Sequence, residues 1–89
     1  MLNPQKIELL TSTTVKMLEQ LSMETQGMSI KELQEKYHFS KGLKREIKNG
    51  FTQCYILNIC ELLDIFKVRL SDFMRMIENE LGEDFSIID

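Results

Sequence analysis

The chain has a single proline, four glycines, one histidine and two cysteines. With no Ser/Gly-rich tract and no self-similar period, nothing marks a linker, a low-complexity segment or a repeat array. Two cysteines cannot supply the disulfide framework of a small secreted domain. Cys54 and Cys60 are six residues apart, which on a helix puts them on different faces, so two buried or half-buried thiols in a reducing cytosol are expected. The lone His38 has no clustered ligand partners, so no metal site is expected there; an exposed or backbone-bonded turn histidine is. No Ser/His/Asp pattern, Gly-rich phosphate loop or close His–carboxylate motif is present, so neither an enzyme nor a cofactor is expected. Glu61 and Asp64 lie three apart and read as the exposed side of a helix. The apolar runs are a few residues long, far short of the roughly 20 a membrane span needs. The N-terminus lacks the basic-then-apolar order of a signal peptide, so a cytoplasmic protein with no membrane partner is expected.

What is present is an 89-residue chain, 43% hydrophobic. That length makes one domain, residues 1–89, with a core small enough that oligomerisation is a common remedy. Disorder is expected at Met1–Asn3 and Gly82–Asp89, the two ends. The net charge of −3 is unevenly spread. Residues 29–50 hold Lys31, Lys36, Lys41, Lys44, Arg45 and Lys48 against Glu32, Glu35 and Glu46, so this window is net +3 and the other 67 residues are net −6. Such a split points to one face for a polyanion and another for solvent or a partner.

The apolar residues repeat with helical period throughout, and no stretch alternates with period two. A first helix is expected over about 4–24, opened by Asn3 as cap and Pro4 at its first position and stopped before Gln26-Gly27, where the glycine suits a left-handed cap. The run Thr11–Thr14 weakens its stripe. Ser29-Ile30-Lys31-Glu32 is a capping box for a second helix ending near Tyr37, with Met28 placed to staple onto Leu33. Ser40 caps a third, about 41–48, which Asn49-Gly50 ends. Thr52 is the expected cap of a fourth, about 53–66, rich enough in apolar residues to be central. A fifth, about 70–81, carries Leu70, Phe73, Met74, Ile77 and Leu81, and Gly82 stops it before a tail of 82–89. The six methionines read as core filler, with Met74 and Met76 as an alternative soft interaction surface.

The third helix separates its residues by chemistry. With Lys41 at zero, a step of about 100° places Lys44, Arg45 and Lys48 at about 300°, 40° and 340°, one cationic arc. Leu43 and Ile47 fall at about 200° and 240°, on the side expected to pack. Too short to hold alone, this helix depends on that packing. Its other side is a solvated basic face, or one suited to phosphates and base edges in a major groove.

The stretch Met28-Ser29-Ile30-Lys31-Glu32-Leu33, then Phe39-Ser40-Lys41-Gly42-Leu43, then Ile47-Lys48-Asn49-Gly50 resembles the Cro and phage-repressor, or XRE-type, helix-turn-helix family. So does the later run from Leu62 to Phe73, in one register over about residues 15–75. The resemblance implies an all-α, compact five-helix bundle with its helix-turn-helix at about 29–50, acting as a sequence-specific DNA-binding transcriptional regulator such as a repressor. It places Lys41, Gly42 and Glu46 at readout positions with Arg45 between them, and Asn49 near the backbone. It puts the Ser29 and Ile30 amides at the start of the second helix, where they can point at a phosphate. Lys31, Ser40, Lys44 and Lys48 complete the expected double-stranded DNA face. Arg45 is the expected base reader, since a guanidinium matches a guanine edge. Glu46 either accepts from cytosine or pairs with neighbouring cations.

Four positions depart from the family pattern. Gln34 replaces a small residue, His38 a turn glycine, Lys44 a core Ile or Val, and Ile30 a phosphate-binding Gln. Lys44 implies a rolled third helix, with Leu43 making the replaced core contact. The loop Phe51-Thr52-Gln53 lacks basic residues. A homodimer through the fifth or first helix is expected for two-site reading. The other reading is an adaptor, antitoxin or antirepressor component whose degenerate helix-turn-helix grips protein instead.

Overall fold

Asn3 and Pro4 start the first helix as their chemistry requires. In the computed structural model, which describes residues 1–88, the Asn3 side chain accepts from the amides of Gln5 and Lys6 and opens α1, Pro4–Gln26. Gly27 closes it with φ of 72°, its amide donating to the Met23 carbonyl. The helix runs two residues past the sequence estimate because the left-handed glycine, not the residues before it, is the terminator. The threonine run stays helical: Thr13 and Thr14 are buried, and the Thr14 hydroxyl donates to the Leu10 carbonyl. Four further helices follow among the described residues: α2, Ile30–Leu33; α3, Lys41–Lys48; α4, Ile56–Phe66; and α5, Leu70–Leu81. The architecture is all-helical, as expected.

Two boundaries differ from the sequence reading. The Ser29–Glu32 capping box forms, but α2 is four residues long. Beyond Leu33 the amides of Gln34, Glu35 and Lys36 each bond three residues back, so the chain tightens into turns instead of continuing. The fourth helix starts at Ile56, not near 53, and Thr52 does not cap it. Phe51 and Cys54 both sit at positive φ, 58° and 51°, which breaks the helix before it can begin. Cys54 is therefore a loop residue, and both thiols are free and half-buried.

One cluster joins the elements. Leu18, Leu33, Leu43, Leu62 and Phe73 are fully enclosed, one from each helix, with Ile59, Leu63, Phe66 and Ile77 around them. Each such side chain contributes about 1.5–3 kcal/mol on leaving water. Met28 and Tyr37 pack on this cluster, and the Tyr37 hydroxyl donates to Gln26 across to α1. Met76 also packs on it, whereas Met74 is exposed.

The termini are tied together, contrary to the expected disorder. Leu2 and Ile88 form an antiparallel bridge, and the Asn3 amide donates to the Ile87 carbonyl at 2.7 Å. The Lys6 ammonium donates to the Ile88 carbonyl. Asp89 lies outside the described residues. No helix among the described residues is long and apolar enough to cross a membrane.

Candidate nucleic-acid interface

The site is built on α3, and Leu43 fixes its orientation. Leu43 is fully buried, and the other buried residue of the helix is Glu46. Ile47, expected to face the core, is only half-buried against it. The inward direction thus lies between Leu43 and Glu46 and not at Ile47. Opposite that direction stand Lys41, Lys44, Arg45 and Lys48, all exposed, with Lys31 of α2 exposed beside them. Among the described residues, ion pairs join Arg69 and Arg75 to Asp72, and none involves these five cations.

Glu46 is the principal correction to the expected site. It is 5% exposed and cannot meet a base edge. Its two carboxylate oxygens accept the Tyr55 amide at 3.2 and 3.3 Å, and one also accepts the Asn58 side-chain amide at 2.8 Å. Buried charge is tolerated only when bonded in this way. The bonds place a carboxylate at the N-terminus of α4, where the helix dipole favours it and where no side-chain cap is otherwise present.

The reciprocal arrangement holds the start of α3. The Ser40 hydroxyl donates to Glu61 at 2.6 Å and its amide donates to the same carboxylate at 2.8 Å, while the hydroxyl oxygen accepts the Leu43 amide. Glu61, assigned by spacing to an exposed face, is thus a clamp between α4 and α3. Ser40 is accordingly occupied by protein rather than open to a ligand. The same holds at α2. The Ser29 amide donates to Glu32 at 3.0 Å, and the Ile30 amide to Glu19 of α1 at 2.9 Å. As the molecule stands, neither amide offers the phosphate position that the resemblance implies.

Two shoulders flank the cationic crest. Toward α4, a groove of about 450 Å³ is lined by Gly42, Arg45, Asn49, Gln53, Tyr55 and Leu57, among others. Here Tyr55 is 61%, Ile56 49% and Leu57 80% exposed, three consecutive large side chains in water. Toward α2, a hollow of about 490 Å³ is lined by Lys31, Gln34, Lys44, Ile47 and Lys48. The expected residues Lys31, Lys41, Gly42, Lys44, Arg45, Lys48 and Asn49 are therefore brought to one exposed region, and Ser29, Ser40 and Glu46 are engaged internally. Glu19, Tyr55, Asn58 and Glu61 were not visible as site residues, because their bonds span 9 to 21 residues and leave no short motif. Compared with known proteins, the chain matches no family model, no curated protein and no solved structure.

Proposed function

We propose that the chain is a DNA-binding helix-turn-helix regulator of transcription that lays α3 in the major groove. The observation that carries this reading is the exposed arc of Lys41, Lys44, Arg45 and Lys48 directly opposite buried Leu43, with no ion pair among the described residues to neutralise it. A helix about 10–12 Å across fits a groove about 12 Å wide. With the Ser29, Ile30 and Ser40 amides held by carboxylates, phosphate contacts are assigned to the lysine side chains, which position without reading sequence. Arg45, with Asn49 beside it, carries base recognition. A homodimer then reads two half-sites about one helical turn apart. On α5 the exposed apolar residues are Leu70 and Met74, each 39% exposed.

A second reading is favoured by Tyr55, Ile56 and Leu57. Contiguous exposed apolar surface marks protein contacts more than DNA contacts, and an adaptor or antitoxin-like component would dock a partner there. Binding to a random-sequence duplex separates the two. On the DNA reading the wild type binds at low salt, and Lys41→Ala/Arg45→Ala weakens binding and makes its salt dependence shallower. Absence of binding at low salt removes the DNA reading and leaves the adaptor.

A further inference from the structure

The cations of this region do not surround α3 evenly. Lys31, Lys44 and Lys48 converge on the hollow between α2 and α3, whose remaining lining is Gln34 and half-buried Ile47. On the opposite shoulder the groove contains one cation, Arg45, among Gly42, Asn49, Gln53 and the exposed Tyr55 and Leu57. Glu35, the exposed carboxylate next to Gln34, forms no ion pair with these lysines, and four others nearby are already engaged. Glu19 holds the Ile30 amide, Glu32 the Ser29 amide, Glu46 the Tyr55 amide and Glu61 Ser40. Each answers a backbone dipole instead of a lysine. The three ammonium groups are thus left uncompensated around one concavity, where like charges raise the local potential and favour an anion.

The geometry points to a division of labour across α3: the Lys31–Lys44–Lys48 hollow seats backbone phosphates of nucleic acid, and the Arg45 shoulder meets the bases. This assignment rests on the DNA reading above. It differs from a phosphate site made by the Ser29 and Ile30 amides, which here are held by Glu32 and Glu19. Gln34 and Lys44 acquire a purpose, since a small residue and an apolar one at those positions would take a polar wall and a cation from the hollow. The Gln34 side-chain amide bonds the Lys31 carbonyl at 3.4 Å, and Lys44 contributes the second wall.

The test compares wild type, Lys31→Ala/Lys44→Ala/Lys48→Ala and Arg45→Ala by fluorescence anisotropy on several duplexes across a salt series. All four substituted side chains are exposed, so folding, checked by circular dichroism, is retained. The triple variant should lose affinity equally for every duplex, with its log–log salt slope shallower by about 2–3. Arg45→Ala should change the slope by about 1 or less and reduce discrimination between duplexes. In the wild type, inorganic tripolyphosphate should shift the amide resonances of Lys31, Gln34, Lys44, Ile47 and Lys48. If wild type binds and the triple variant keeps its slope, or if tripolyphosphate shifts centre on Arg45 and Asn49, the division is wrong while the DNA reading stands. If wild type binds no duplex, the DNA reading fails and the division falls with it.

Discussion

The Glu46 carboxylate of α3 accepts the backbone amide of Tyr55 through both of its oxygens, at 3.2 and 3.3 Å, at the start of α4. Glu61 of α4 in turn accepts the amide and hydroxyl of Ser40 at the start of α3. Each helix is capped by an acid from the other. The pair sets the angle at which α3 presents its cations, because both ends of the α3–α4 contact are pinned.

Removing one member should be costly. Glu46→Ala removes the acceptor of the Tyr55 amide and the shorter of the two bonds of the Asn58 side-chain amide, which keeps only the Gly42 carbonyl at 3.4 Å, at a cost of about 1–3 kcal/mol. Glu46→Gln keeps an acceptor oxygen and should cost less. Urea unfolding of both variants checks this; an alanine variant as stable as wild type would show that the clamp contributes nothing.

Gly42 should respond in opposite directions to two measurements. It lies inside α3, and an added Cβ would approach Asn58 Oδ1 no closer than 3.4 Å. Gly42→Ala should therefore stabilise the fold by about 0.5–1 kcal/mol through helix propensity. On the DNA reading the same methyl stands at the close approach to the bases and lowers duplex affinity. A higher urea midpoint with unchanged DNA affinity would remove Gly42 from the interface.

The capping box has a pH signature. The Ser29 amide and then its hydroxyl hold the Glu32 carboxyl below its ordinary value of 4.5. A lowered folded pKa means that the box favours the folded state above the unfolded value, and that this contribution disappears as pH falls from 4.5 through the folded value. A carbon-detected NMR titration should place the Glu32 inflection below 4.5, and Ser29→Ala should move it part of the way back. An inflection at 4.5 in the wild type would contradict the bond.

Cys54 should be an unreactive thiol. Burial first, and the nearby Glu46 charge second, push it from 9.0 up to about 11. Any stabilisation from keeping it protonated is present below 9.0 and lost as pH rises toward about 11. In a Cys60→Ser background, alkylation by iodoacetamide at pH 8 should be slower than for a free thiol by a factor on the order of 10². Free-thiol rates would contradict the burial.

How much of this was legible in the sequence follows from the range of each interaction. Asn3, Gly27, Ser29 and Ser40 announced helix ends because a cap acts within three or four residues of itself. The cationic arc of α3 was readable from the 100° step alone. The early end of α2 was not, since its turns from Gln34 to Lys36 differ from helix only in bonding one residue nearer. Nor was the late start of α4, where buried Phe51 is held at positive φ by packing. Glu46 misled most: a glutamate among cations reads as exposed, because charged residues are seldom buried unless paired. Its partners lie 9 and 12 residues on, beyond any local pattern. Glu19 and Glu61 were hidden for the same reason, and with them the closure of the Ile30 and Ser40 amides.

The central claim is that the outer face of α3 binds duplex DNA. It is tested most directly by the affinity of the wild-type protein for a 20-base-pair random-sequence duplex at 50 and 200 mM salt. Four or five phosphate contacts predict a slope of about −4, and so a loss on the order of 10²-fold between the two conditions. No binding at 50 mM, or an affinity that does not change with salt, would contradict the account.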